Sequence, residues 1–230
     1  MSNSFRTTNS TGLINKDKKI NFTFNGTIYH GYEGDTLASA LIANGVHLVG
    51  RSFKYHRPRG FLGVGVEEPN AMVQLHDGNK SEPNIIATEV ELVEGLKAKS
   101  QNCWPSVQFD IGEINNVLNR FFPAGFYYKT FMWPKSFWMK IYEPFIRKAA
   151  GMGKAPLLPD PDRYEHNYEH CDVLVVGSGP SGLASALAAA KNGARVILAE
   201  DKPNFGGSLL TDEVTIGNMS GKEWASDTIS

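Results

Sequence analysis

The chain has 230 residues, 41% of them hydrophobic, and a formal net charge of -1. This is the composition of a globular protein with one large or two small domains, and it argues against a largely disordered chain. A charge so close to zero gives no global field to recruit nucleic acid or an anionic membrane, and no apolar run of 18 residues offers a membrane span.

The two cysteines, Cys103 and Cys171, fit neither a disulfide framework nor a metal spacing. They read as ordinary buried thiols in a reducing, cytoplasmic setting. Residues 1–17 are rich in Ser, Thr and Asn, lack the apolar core of a secretory signal, and read as a disordered tail. From 19 to 25 the chain alternates, with Ile20, Phe22 and Phe24 on one face, which predicts a half-buried strand. Asn25-Gly26 supplies a hairpin turn and 27–30 a returning strand. A short helix follows, with Asp35 as N-cap, Leu37, Ala38, Ala40, Leu41 and Ile42 as its apolar residues, and Gly45 as its stop. Two more strands are expected over 71–76 and 85–92. The order ββαββ predicts a small β-grasp domain over 18–98.

The basic loop between them, with Arg51, Lys54, His56, Arg57 and Arg59, interleaves Phe53 and Tyr55. Such a pattern can serve nucleic acid, but five positive groups in a near-neutral chain favour internal or subunit-facing ion pairs. His30, His47, His76, His166 and His170 show no metal-ligand spacing. Residues 99–170 read as an aromatic-rich connecting segment. Phe121, Phe122, Phe126, Tyr127, Tyr128, Phe131, Trp133, Phe137, Trp138, Tyr142 and Phe145 crowd together there, while Pro123, Pro134 and Pro144 forbid one long helix. Short helices packed against another surface are expected, in preference to a membrane interface. The prolines of 156–161 mark a linker, and a new domain, 171–230, begins after it.

That domain opens on an apolar run, 172–176, with the composition of a parallel strand buried on both faces. Gly177-Ser-Gly-Pro-Ser-Gly182 follows at once, then an alanine-rich helix to Asn192, a stop at Gly193, and a second strand ending at Glu200. This is G-x-G-x-x-G between strand and helix, with an acid about 20 residues on, the dinucleotide fingerprint. Gly177 permits the tight turn, Gly179 lets the backbone approach a pyrophosphate, and Gly182 lets helix and strand pack closely. The helix beginning near Pro180 aims its first N–H groups at phosphates. Glu200 would accept from a ribose hydroxyl and repel a 2′-phosphate, which favours NAD or FAD over NADP. Only residues 172–230 remain for a domain type that needs about 100–200 residues. An incomplete Rossmann-type βαβ unit is therefore expected, too small to bind a dinucleotide tightly alone.

Together with this motif, Arg51-Ser-Phe-Lys-Tyr-His-Arg-Pro-Arg-Gly60, Glu67-Glu-Pro-Asn-Ala71 and Tyr164-Glu-His-Asn-Tyr168 resemble the N-terminal part of the alpha subunits of the heterotetrameric sarcosine oxidase family, over roughly 12–230. The resemblance implies a ferredoxin-like first domain. A plant-type cluster there needs C-x₄-C-x₂-C, and 47–66 holds no cysteine, so no iron–sulfur cluster is expected. It implies NAD on this subunit, FAD on the beta subunit, a covalent FMN between them, and gamma and delta subunits as further partners. By carry-over Gly177, Gly179, Pro180, Ser181 and Gly182 would line the pyrophosphate, with Glu200, Asp201, Lys202, Gly207 and Ser208 around the ribose. The implied reaction turns sarcosine into glycine, hydrogen peroxide and a folate-captured one-carbon unit. Oxidation itself falls to the beta subunit, so no catalytic residue is assigned here. Two alternatives stand beside this reading: an FAD-binding subunit of a related amine or opine dehydrogenase, and a non-catalytic subunit-assembly module.

Overall fold

The structure, a computed structural model, describes residues 5–7, 13–125, 129, 131–153 and 155–230. They fall into two compact units, formed mainly by Ile14–Asp162 and Arg163–Ser230. The fold is mixed α/β.

The first unit starts with β1 (Asn15–Phe24) and β2 (Thr27–Glu33), an antiparallel hairpin. Its turn has φ of 50° at Asn25 and 81° at Gly26, both positive as a type I′ turn requires. Ile20, Phe22 and Phe24 are buried as the alternation predicts. Helix α1 (Leu37–Ala43) lays Leu37, Ala38, Ala40 and Leu41 in the same core. Its first free amides, Leu37 and Ala38, donate to the carbonyls of Val90 at 2.9 Å and Ala87 at 3.1 Å, which satisfies donors a helix start otherwise leaves orphaned. Short strands β3 (Gly50–Arg51) and β4 (Pro58–Arg59) pair with each other. β5 (Met72–Leu75), β6 (Glu82–Ile86) and β7 (Lys97–Ser100) complete a five-stranded sheet of order β2-β1-β7-β5-β6, with β7 parallel to β1. Pro83 sits in β6, at the sheet edge, where its missing N–H costs no ladder bond.

Several expectations are corrected. The sheet's middle strand, β7, went unread because Lys-Ala-Lys-Ser buries only Ala98 and consists of residues that strands otherwise avoid. The strand expected over 85–92 ends at Ile86, where the chain turns and Glu89 N donates to the Ile86 carbonyl at 2.9 Å. The N-cap is Thr36, in a reciprocal capping box with Ser39. Asp35 is fully buried instead, taking both arms of the Arg6 guanidinium at 3.0 and 2.6 Å, the Ser39 hydroxyl at 2.7 Å and Tyr32 N at 2.9 Å. The stretch 1–17 is thus no free tail where it is described: Arg6 is anchored and β1 begins at Asn15. The remainder of that stretch, 1–4 and 8–12, lies outside the described residues.

The basic loop turns inward. Arg51, 5% exposed, donates to the carbonyls of Val107, His56 and Gln108 at 2.8, 3.1 and 3.2 Å, and pairs with Glu113 at 3.1 Å. His56 lies between the Asp110 carboxylate at 2.6 Å and the Ala149 carbonyl at 3.1 Å. Just beyond the loop, Glu68 is buried among four backbone amides, those of Leu62, Gly63, Asn70 and Ala71, at 2.6 to 3.1 Å. Burial acts to raise its pKa, but the four N–H groups prevail and hold it below the ordinary carboxylate value. Cys103 and Cys171 are each only part-buried, so the reading of both as buried thiols is corrected.

The aromatic segment forms short helices, as its prolines demand: α2 (Ile114–Val117), single turns over 119–121 and 135–137, a π-helical turn over 138–142, and α3 (Glu143–Ala150). Its rings are not packed away within the unit, since Phe121, Trp133 and Phe145 are 66–83% exposed. Phe126, Tyr127 and Tyr128, named with them, lie outside the described residues. Residues 155–170 are exposed and contain no helix or strand.

In the second unit β8 (Val173–Val176) runs into α4 (Pro180–Lys191), which returns to β9 (Val196–Ala199), parallel to β8 in full register. A hairpin of β10 (Thr215–Ile216) and β11 (Met219–Ser220) leads into α5 (Gly221–Ile229), started by a Ser220–Glu223 capping box. Leu183, Leu209 and Ala225 form its small core. The expectation that β8 is buried on both faces fails, because Leu174 and Val176 are 59% and 79% exposed. A two-stranded sheet has one neighbour for β8 and one covering helix, so its other face meets solvent. No helix of the described residues is long and apolar enough to cross a membrane.

Candidate functional site

The candidate site lies where β8 hands over to α4. Gly177 leaves the strand at φ +91°, a conformation costly for any residue with a Cβ. Gly182 sits so close beneath it that an added Cβ would run into the Gly177 carbonyl group. Its role is the close helix–strand packing foreseen from the sequence. Gly179 is the opposite case: nothing lies within 4 Å of where its Cβ would stand, so the backbone is bare to an approaching group. Gly179 is also the N-cap of α4, with Pro180 in the first turn and Leu183 N bonded back to the Gly179 carbonyl at 2.9 Å. The earlier amides, at Ser181 and Gly182, have no acceptor within a helix and carry its positive end.

Gly206 and Gly207 close over this turn. Gly206 has φ +127° and Gly207 +55°, and a Cβ on Gly207 would stand 3.0 Å from Gly179 Cα. Ser208 is exposed at the start of the single helical turn 207–210.

Glu200, one residue past β9, faces the glycine turn. One carboxylate oxygen accepts from Ser178 N at 2.8 Å and from the Ser178 hydroxyl; the other accepts from the amides of Asp201 and Lys202, both at 3.1 Å. Four donors fill the lone-pair positions of a carboxylate. The Ser178 hydroxyl, foremost, and then the Ser178 amide, Asp201 and the Lys202 amide outweigh partial burial and hold the Glu200 pKa down to about 2. Ser178 is itself fully buried, and its carbonyl and hydroxyl accept from Gly206 N at 3.1 and 3.2 Å. The structure thus brings Gly177, Gly179, Gly182, Glu200 and Gly207 together. Asp201 and Lys202 turn their amides inward onto Glu200, while their side chains stand exposed. Sequence reasoning missed Ser178, because a serine at an unspecified position of G-x-G-x-x-G carries no signal of its own.

The first unit offers a different donor set. Cys103 is the one cysteine in residues 17–103. Its thiol is pushed up to about 11, by burial first and then by Asp110, opposite to what a metal-bound thiolate needs. Among the described residues, no cluster of three or more His, Cys, Asp or Glu could hold a metal ion.

Comparison with known proteins matches each unit to a family. Residues 17–103 match the 2Fe-2S iron-sulfur cluster binding domain family, and 172–227 the FAD dependent oxidoreductase family. A solved structure of L-proline dehydrogenase from P. horikoshii overlaps with a TM-score of 0.47 at 18% identity, covering 96% of this chain and 32% of that one, a likeness too distant to bear on fold or activity. The sarcosine oxidase alpha subunit of Corynebacterium sp. (strain U-96) is 33% identical over 85% of this chain and 16% of its own length. That of Rhizobium meliloti (strain 1021) is 57% identical over 94% of this chain and 22% of its own. By sequence the chain is thus a relative of the sarcosine oxidase alpha subunits along nearly its whole length, and it spans about a fifth of the Rhizobium subunit.

Proposed function

We propose that this chain is the N-terminal part of an oxidoreductase subunit of the sarcosine oxidase type, acting on CH–NH donors, and that its second unit is the first βαβ of a Rossmann-type dinucleotide domain. The observation that carries the reading is the turn at 177–182, with its bare backbone at Gly179 and a helix N-terminus directly behind it. Gly179, Ser181 and Gly182 would hold the pyrophosphate through backbone N–H groups, with Gly177, whose own N–H goes to the Ala199 carbonyl, and Pro180, which has none, shaping the turn that lines it. Glu200, Asp201, Lys202, Gly207 and Ser208 would surround the adenosine ribose. Because Glu200 already accepts four bonds, a ribose hydroxyl would be received in exchange for one of them, and the Ser178 hydroxyl is the donor freest to rotate away. A nicotinamide or flavin so held supplies a hydride site, and that chemistry is the cofactor's own.

NAD is the first choice, by the likeness to the alpha subunits; FAD is the second, supported by the family matched over 172–227. In the first unit a lone cysteine with a raised pKa does not meet the four-thiolate requirement of a [2Fe–2S] cluster. We therefore read that unit as a cluster-less member of its fold, serving assembly with beta, gamma and delta partners in the cytoplasm. The test is to purify the assembled full-length enzyme, denature it, and identify nucleotide released from this subunit. NAD is expected. FAD alone would transfer the reading to the second choice, and no dinucleotide from this subunit would overturn both. Because the sheet behind the turn has two strands and the outer face of β8 is open, the 230-residue chain alone should bind either only weakly, and sub-micromolar affinity would contradict this.

A further inference from the structure

The first unit has a cavity of its own. Between β3, β4, the start of β5 and the residues after β7 lies a cavity of about 150 Å³, lined by Arg51, Phe53, Arg59, Asn70, Met72 and Asn102 among others. One water needs about 15 Å³ of such space, so the cavity has room for more than solvent molecules taken singly. Its charge is unbalanced. No carboxylate lines it, and Arg51 spends its donors on Val107, Gln108, His56 and Glu113. Arg59, by contrast, has a side chain with no partner among the described residues.

Asn102 provides the second observation. It is only 7% exposed, and its orientation is fixed because Oδ1 accepts from Arg51 N at 3.0 Å. Its Nδ2 therefore opens on the cavity as a donor, and it too has no partner among the described residues. Among the described residues no buried side-chain nitrogen or oxygen lacks a partner, so this Nδ2 is an accessible donor on the cavity wall, served by solvent until an acceptor displaces it. The Asn70 side chain, also on the wall, is likewise unpartnered among the described residues. Phe53, Pro69 and Met72 supply the apolar surface.

We propose that this cavity binds a small organic carboxylate, its oxygens taken by Arg59 and Asn102 and its short hydrocarbon part resting on Phe53 and Met72. A guanidinium paired with a neutral amide suits a single planar carboxylate. The apolar wall favours an organic anion over a fully hydrated inorganic one.

The test is calorimetric titration of the 230-residue chain with succinate, butyrate and inorganic phosphate, at ionic strength held constant with sodium chloride. Saturable binding of at least one carboxylate in the millimolar range is expected, weakened about tenfold or more by Arg59→Gln and partly retained by Arg59→Lys. Arg59→Gln alters an exposed side chain, so folding should persist; a circular dichroism melt verifies this, and Asn70→Ala gives a second variant should it not. Heats no larger than with sodium chloride, or unchanged affinity in a folded Arg59→Gln, would overturn the proposal. Equal or tighter phosphate binding would overturn the assignment to organic carboxylates. Since neither variant touches the dinucleotide turn, failure here leaves the proposed function standing.

Discussion

Gly179 and Gly182 are three residues apart and make opposite demands on a substituent. An alanine at 182 would press its methyl into the Gly177 carbonyl. Gly182→Ala should therefore destabilise the second unit by about 1–3 kcal/mol, as other overpacked sites do, measurable in a thermal melt. Gly179→Ala meets open space and has φ of -64°, which any residue tolerates. It should melt like the parent yet weaken dinucleotide binding in the assembled enzyme about tenfold or more, by occupying the space a pyrophosphate would need. Equal binding by Gly179→Ala would remove the phosphate role from this turn. The Glu200–Ser178 contact gives a pH signature. The folded carboxyl titrates near 2, below its unfolded value of about 4.3, so the native state favours the ionised form. Its stabilisation is complete above that unfolded value and is lost as pH falls from there towards 2. In Ser178→Ala this loss should shrink, as seen by comparing melts at pH 6 and pH 3.

The elements were legible where local pattern and tertiary role agree. The hairpin at Asn25-Gly26 and the βαβ run from β8 to β9 announce themselves through turn chemistry and periodicity, and both form where expected. β7 did not, because its place in the sheet comes from neighbours on either side rather than from its own two lysines. Asp35 looked like a cap since it precedes a helix, but Arg6, almost thirty residues earlier, draws it into the core, and no local rule can reveal such a partner. At the site, the glycines and Glu200 were readable from spacing, whereas Ser178 became visible only when the fold brought it to Glu200. The true cap can be tested: Thr36→Ala should cost about 1 kcal/mol by denaturant unfolding, with Ser39 losing its reciprocal bond.

For the molecule as a whole, the exposed stretch 155–170, without helix or strand, is the natural place for a protease to act first. Brief digestion with a broad-specificity protease should cut there before either unit is degraded. The product covering the first unit should keep a cooperative melt, because its core of Phe22, Phe24, Leu37, Leu41 and Val73 lies entirely before the cut. Early cleavage inside 15–100 would mean that this core is less stable than its burial implies. The second unit is the less self-sufficient, with three buried hydrophobic residues in its core and the outer face of β8 open to water.

The four amides around Glu68 form a socket for negative charge whose plug is part of the chain itself. Removing the plug with Glu68→Gly would leave a hole with the size and charge preference of propionate. Added propionate should then restore much of the lost melting temperature, where an equal concentration of chloride does not. A loop held in this way needs no outside ion to keep its shape, so the first unit can be expected to fold equally well in buffers stripped of metals and small anions.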